Sequence, residues 1–138
     1  YEGHADWNAI ARARDAVAIP VVANGDIREP DDLRRCAEVT GCDRFMIGRG
    51  SLARPELFAV LAGLQDEWWP PHHRLALLAT FGRQCLRAGI PEPSVVGKVK
   101  GWWRYMAEAD ATVAAAFQRG KLETSWSALS AVLERSRS

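Results

Sequence analysis

The chain has 138 residues, 48% hydrophobic and 25% charged, a globular composition with enough length for one core. Eighteen Lys and Arg against seventeen Asp and Glu leave a formal net charge of +1, so whole-chain charge selects neither nucleic acid nor a membrane surface, and any basic patch is local. No apolar run approaches the roughly 18 residues that span a bilayer, and three cysteines (Cys36, Cys42 and Cys85) are too few for a disulfide scaffold and fit a reducing cytoplasm.

Along the chain, residues 1–50 alternate helix and strand signals. The first residues, Tyr1-Glu2-Gly3-His4, carry neither an initiating methionine nor a signal peptide, which suggests a processed chain or a fragment. Asp6 or Asn8 is placed to cap a first helix with an apolar stripe of Trp7, Ile10, Ala11 and Val17. Ile19-Pro20-Val21-Val22-Ala23 reads as a strand buried on both faces, ended by Asn24-Gly25-Asp26. Glu29-Pro30-Asp31-Asp32 opens a second helix with carboxylates in its first turn; Leu33, Cys36, Ala37 and Thr40 form its buried stripe, and Gly41 stops it. Arg44-Phe45-Met46-Ile47 is a second strand, closed by Gly48-Arg49-Gly50.

From about residue 56 the pattern is helical. Leu57, Phe58, Leu61, Leu64 and Trp68 share helical spacing, and Pro70-Pro71 breaks that helix and sets a domain boundary, giving domains 1–70 and 71–138. Leu75, Leu78, Phe81, Cys85 and Leu86 mark the next helix, ended by Gly89 to Pro93. Val95, Val99, Trp102, Trp103 and Met106 mark another. Asp110 caps a short helix followed by Gly120, and Leu122, Trp126, Leu129 and Leu133 mark the last, before a frayed tail at 135–138. The fold class is therefore α/β followed by all-α, with a helical bundle at the end. Two strands do not make a stable parallel sheet, and a (β/α)8 barrel needs roughly 250 residues, so the chain is expected to be the C-terminal part of something larger or a truncated product.

The strongest local signal is the pair of strand-end loops, Asn24-Gly25-Asp26 and Gly48-Arg49-Gly50, one βα unit apart. Glycine lets backbone N–H groups approach an anion, the following helix start adds positive potential, and the planar fork of Arg49 matches phosphate oxygens. Loops after the last two strands of a barrel often bind a phosphate. Each loop alone is equally an ordinary βα turn; the two together favour phosphate.

At these residues the chain resembles the tRNA-dihydrouridine synthases. The likeness is carried by Tyr-x-Gly-x-Ala-Asp-Trp at 1–7, Ile-Pro-Val-Val-Ala-Asn-Gly-Asp-Ile at 19–27, Met-Ile-Gly-Arg-Gly at 46–50 and Ala53-Arg54-Pro55-Glu56-Leu57-Phe58. It continues through Lys98-Val99-Lys100-Gly101-Trp102-Trp103-Arg104-Tyr105, which resembles the bacterial subgroup acting on position 16 of tRNA. The resemblance implies the last two β/α units of an FMN-binding TIM barrel followed by a C-terminal helical domain. It implies FMN as cofactor, tRNA as substrate and NADPH as reductant, with no membrane and no metal. Asn24, Gly25 and Asp26 match the family's first FMN loop, and Gly48 and Arg49 match the second, which holds the FMN phosphate.

In that family an earlier barrel loop carries a cysteine that protonates the uracil ring. Cys36 falls on a helix stripe, Cys42 in a helix-to-strand turn and Cys85 on a bundle helix, so none is a stand-in and the chain alone is expected to be inactive. His4 reads as a loop residue, and His72 and His73 lack the further ligands a metal needs.

On the helix through 95–106, Lys100 and Arg104 are expected on the face opposite the Trp stripe, with Lys98 at its margin. Arg119 and Lys121, flanking Gly120, extend this patch. On charge alone it is an ordinary solvated face; the resemblance makes Lys98, Lys100, Arg104 and Arg119 tRNA contacts. Trp102, Trp103 and Trp126 recur with aliphatics and read as core. Two other readings share these features: a fragment of another FMN barrel oxidoreductase, such as one like dihydroorotate dehydrogenase, and a helical RNA-binding or interaction module, or decayed gene product, without catalysis.

Overall fold

The computed structural model describes residues 4–136; residues 1–3 and 137–138 lie outside it, and with them the start of the Tyr-x-Gly motif and the end of the expected frayed tail. The chain divides into two compact units, Tyr1–Trp68 and Trp69–Ser138. No helix among the described residues is long and apolar enough to cross a membrane.

In the first unit, α1 (Trp7–Ala16) starts where Asp6 accepts the Ala9 N–H at 2.9 Å, which satisfies one of the unpaired first-turn donors. Of the two proposed caps, Asp6 is the one used. β1 (Val22–Asn24) and β2 (Arg44–Met46) pair in parallel, with Val22 opposite Arg44, Ala23 opposite Phe45 and Asn24 opposite Met46. Between them runs α2 (Pro30–Thr40), with Pro30 in the first turn beside Asp31 and Asp32. Gly41 closes α2 in the left-handed region (φ 63°) and donates its N–H to Ala37 O at 2.8 Å, a conformation that costs a residue without Cβ nothing. Ala23, Ile27, Cys36 and Cys42 form a small core, with Trp7, Ile10, Leu33 and Phe45 packed around it.

The first strand differs from expectation. It is shorter, and only one face is covered: Ala23 is buried, whereas Val22 is 52% and Ile19 72% exposed. Side chains alternate across a strand, and the covered face of this two-stranded sheet is the one bearing Ala23 and Phe45. Val17, expected on the buried stripe of α1, caps that helix instead and is exposed.

After β2 come two five-residue helices, α3 (Arg49–Ala53) and α4 (Leu57–Leu61). The single helix expected over 57–68 stops early because Gly63 takes φ 66°, with Gly63 N bonded to Val60 O and Leu64 N to Ala59 O. Leu64 is left exposed.

Among its described residues the second unit has four helices: α5 (Pro71–Arg87), α6 (Glu92–Ala109), α7 (Ala111–Gly120) and α8 (Trp126–Arg135). Pro71 and Pro93 both sit in first turns, where a missing N–H costs no hydrogen bond, so Pro93 opens α6 rather than ending α5. Gly89 (φ 78°) ends α5, with its N–H on Leu86 O and Ile90 N on Cys85 O. Leu75, Leu78, Val99, Trp103, Met106 and Leu129 are fully buried in one core. Trp102 meets Phe81 edge-on at 5.1 Å, and Trp103 meets Phe117 at 5.7 Å. Leu122, expected on the last stripe, lies before α8 and is exposed. Arg135 belongs to the last turn of α8.

Candidate cofactor loops and basic helical face

Asp26 organises the first site. It follows Gly25 in the loop after β1, and both residues adopt positive φ, 114° at Gly25 and 54° at Asp26. Two successive left-handed residues turn the chain sharply, and Asp tolerates that region better than most side chains. A Cβ at Gly25 would overlap Cβ of Ala5, so only glycine fits. The loop is tied to the segment entering α1 by two bonds: Asp26 Oδ2 accepts the Ala5 N–H at 2.7 Å, and Trp7 Nε1 donates to Gly25 O at 3.0 Å.

The other carboxylate oxygen of Asp26 lies 3.6 Å from Arg49 Nη2, so the two sequence-distant Gly loops meet at this pair. The Arg49 side chain is half exposed, and one long ion pair leaves most of its five donors uncommitted. A Cβ at Gly48 would meet nothing within 4 Å, which leaves open space in front of that loop. Ser51 Oγ donates to Gly48 O at 2.8 Å and holds the turn. By contrast, Gly50 is buried against Ile27 O, with no room for a side chain. Asn24 is exposed at the end of β1. An anion cradle requires glycine backbone, open space and an available guanidinium, and these residues supply all three.

The ties from Ala5 and Trp7 were not foreseen in the sequence. The Asp-x-x-Ala start of α1 is a capping signal, and nothing local to it indicates a partner 18 or 21 residues away. His4, read as a loop residue, has Nδ1 3.7 Å from Asp26 Oδ2 and a fully exposed side chain.

The three thiols are buried and unpaired by disulfides. Burial pushes the Cys36 thiol above its ordinary value, a hydrogen bond with Thr40 opposes this, and Cys42 adds to the rise. A buried, neutral thiol is poorly suited to act on a substrate. His72 and His73 meet edge-on with ring centroids 4.5 Å apart, and no group of three or more His, Cys, Asp and Glu able to hold a metal occurs among the described residues.

On α6 the outer face departs from expectation at Lys100 alone. Lys98 and Arg104 are exposed, whereas Lys100 is half-buried. Lys98 and Lys100 lie two residues, or about 200°, apart on the helix, so they flank opposite edges of the stripe. Arg104 reaches Glu108 at 4.0 Å, which partly offsets its charge. Arg119, exposed on α7, donates to Ser136 Oγ at 3.0 Å and has no acidic partner among the described residues.

Comparison with known proteins places the chain in a family. The family described as Dihydrouridine synthase (Dus) matches residues 1–88, well over half of the chain. A tRNA-dihydrouridine(16) synthase of Pseudomonas putida is 40% identical over 106 residues, covering 74% of this chain and 32% of that protein. One from Ralstonia nicotianae is 41% identical over 111 residues, covering 77% of this chain and 33% of that protein. One from Shigella flexneri is 36% identical over 104 residues, covering 75% and 32%. The chain thus spans about a third of the length of these relatives. With its two glycine loops meeting at Asp26 and Arg49, and with the family match running from the first residue into α5, the chain belongs to the dihydrouridine synthase family.

Proposed function

We propose that this chain is the flavin-phosphate and tRNA-contacting portion of an FMN-dependent tRNA-dihydrouridine synthase. Residues 1–70 act as the last two β/α units of a TIM barrel, and residues 71–138 as a helical tRNA-binding domain. The observation that carries this reading is the junction of Gly25, Asp26, Gly48 and Arg49, where a 3.6 Å ion pair joins both loops in front of open space.

When bound, FMN supplies the hydride that reduces a uridine of tRNA, with NADPH as the source of electrons. In this reading the chain's own residues position and neutralise. Gly25 and Gly48 leave room for the phosphate oxygens, and Arg49 turns its guanidinium from Asp26 toward them. Asp26 stays anchored on the Ala5 N–H and keeps the loop in place through that exchange. Lys98 and Arg119, exposed and without acidic partners among the described residues, neutralise tRNA phosphates, with Arg104 and Lys100 contributing less. The buried state of all three thiols supports a ring-protonating acid supplied from outside this chain. The 35–41% identity to seven tRNA-dihydrouridine(16) synthases supports position 16 as the target.

The test has two parts. Titration of the 138-residue chain into FMN, followed by flavin fluorescence, is expected to show saturable quenching. The full-length protein containing this segment is expected to raise the dihydrouridine content of unmodified tRNA in the presence of NADPH. A full-length protein that purifies without flavin and leaves tRNA unchanged overturns the proposal.

A further inference from the structure

We infer that Asp32 is a positioning residue for the flavin phosphate: it orients the peptide unit between Ile27 and Arg28, and that peptide unit seats Gly50 and the second loop. The inference rests on the phosphate reading of the two loops and adds to it the residue that sets their spacing.

Asp32 lies in the first turn of α2 and is 9% exposed. Its Oδ2 reaches back to accept the Arg28 N–H at 3.0 Å, and its Oδ1 accepts from Arg35 Nη2 at 2.6 Å. A first-turn carboxylate bonded to an N–H just ahead of the helix acts as the return half of a capping box. Glu29, at the cap position itself, makes no capping bond with its side chain, so Asp32 secures the entry into α2.

The Arg28 N–H and the Ile27 C=O belong to one peptide unit, which is planar and points its two polar groups in opposite directions. Asp32 holds one side of that unit. On the other side Ile27 O lies against Gly50, where an added Cβ would overlap it. Ile27 is 3% exposed and Gly50 is buried, so the junction is closed to water. Gly50 directly follows Gly48-Arg49, in the first turn of α3. Asp32, the 27–28 peptide and Gly50 therefore form one line of contact from the helix that follows the first loop to the second loop.

The two loops thus have two ties of different kinds. The Asp26–Arg49 pair is long and half exposed on the Arg49 side, and it is the tie that a phosphate competes for. The junction at Gly50 is buried and holds no charge that an anion would draw away, so it keeps the loops in register while Arg49 changes partner. Arg35 balances the charge of Asp32, but its side chain is 64% exposed and it touches neither the 27–28 peptide nor Gly50 through any hydrogen bond found among the described residues.

The test measures the affinities of the full-length protein containing this segment, freed of flavin, for FMN and for riboflavin, which lacks the phosphate, by flavin fluorescence. Asp32→Ala is expected to weaken FMN binding about tenfold, the worth of a hydrogen bond to a charged group, and to leave riboflavin binding unchanged. Asp32→Asn, whose amide oxygen still accepts the Arg28 N–H, is expected to bind FMN as the native protein does. Arg35→Ala, which removes the ion pair and leaves that hydrogen bond in place, is expected to do the same. Native FMN affinity in Asp32→Ala, a loss shared equally by FMN and riboflavin, or an Asn variant as weak as Ala overturns the inference while the phosphate reading stands. A native protein that binds both flavins equally overturns the phosphate reading and the inference with it.

Discussion

Asp110 holds Arg74 and starts α7 with the same carboxylate. Its Oδ2 accepts from Arg74 Nη1 at 3.0 Å, and its Oδ1 accepts the N–H groups of Thr112 and Val113 at 2.8 and 3.0 Å. The Arg74 side chain is 2% exposed, so a full charge sits inside the helical unit opposite a helix start. Asp110→Ala removes the cap, worth about 1 kcal/mol, and strips a buried cation of one partner, a loss that reaches about 3 kcal/mol or more. Asp110→Asn keeps the cap and loses the charge, and is expected to fall between Ala and the native residue. Urea unfolding followed by helical circular dichroism checks the order; equal loss in both variants would place the whole effect in the ion pair.

Glycines in this unit divide sharply by what surrounds them. Gly82 on α5 lies under the Trp126 ring, and a Cβ at Gly120 would come within 2.7 Å of Trp103. Gly97 and Gly101, four apart on α6, have open space where a Cβ would stand. Gly82→Ala and Gly120→Ala are therefore expected to destabilise by about 1–3 kcal/mol, since an indole in a packed core has little room to retreat. Gly97→Ala and Gly101→Ala are expected to stabilise by up to about 1 kcal/mol each, the helix-propensity difference. Thermal unfolding of the four single variants tests both signs at once.

Much of this was legible in the sequence where the signal is local. Pro30, Gly41, Asp110 and the apolar stripes of α5, α6 and α8 fix their elements through caps and periodicity, which act within a few residues. The short helix α4 was also legible through Gly63, had its stop signal been weighed above the apolar spacing of Leu64 and Trp68. The first strand shows the limit: Val22 and Ala23 have similar local signals, and which of them is covered depends on how many layers pack on the sheet. At the site, both Gly loops were readable because glycine marks them. The bonds from Ala5 N and Trp7 Nε1 were not, because a backbone amide and an indole carry no mark of a distant partner.

The phosphate role proposed for Arg49 has a direct readout. In the full-length protein, Arg49→Ala is expected to lower flavin content at purification several-fold while leaving the fold intact, because its side chain is half exposed and its pair to Asp26 is long. Gly25→Ala is expected to act differently: the positive φ and the overlap with Ala5 disturb the loop itself, so flavin loss comes with a lower unfolding temperature. Unchanged flavin content in Arg49→Ala removes its proposed phosphate role.

The basic residues of the helical unit are not equivalent. Lys98 and Arg119 are exposed and lack acidic partners among the described residues, Arg104 shares its charge with Glu108, and Lys100 is half-buried. Lys98→Ala and Arg119→Ala are each expected to weaken tRNA binding and to reduce the slope of log affinity against log salt by about 1. Arg104→Ala is expected to change it less, because neutralising Glu108 competes with neutralising phosphate. Filter binding across a salt series separates these cases, and an unchanged slope in all of them removes the proposed RNA surface.

Cys36 links pH to the stability of the first unit. Its thiol is held above the ordinary 9.0, first by burial, so the folded state keeps the proton where the unfolded chain gives it up. Above pH 9 the unfolded chain therefore binds fewer protons than the folded one, and stability falls as pH rises; below that value the thiol is protonated in both states and contributes no slope. Unfolding of the chain is expected to ease as pH rises above 9, and Cys36→Ala is expected to flatten that part of the profile at the cost of a small cavity. Alkylation by iodoacetamide gives a second readout: Cys36 is expected to react only as fast as the unit opens, so mild urea accelerates it far more than a rise from pH 7 to pH 8 does. Rapid modification of Cys36 in the native chain at neutral pH would contradict both the burial and the pH slope.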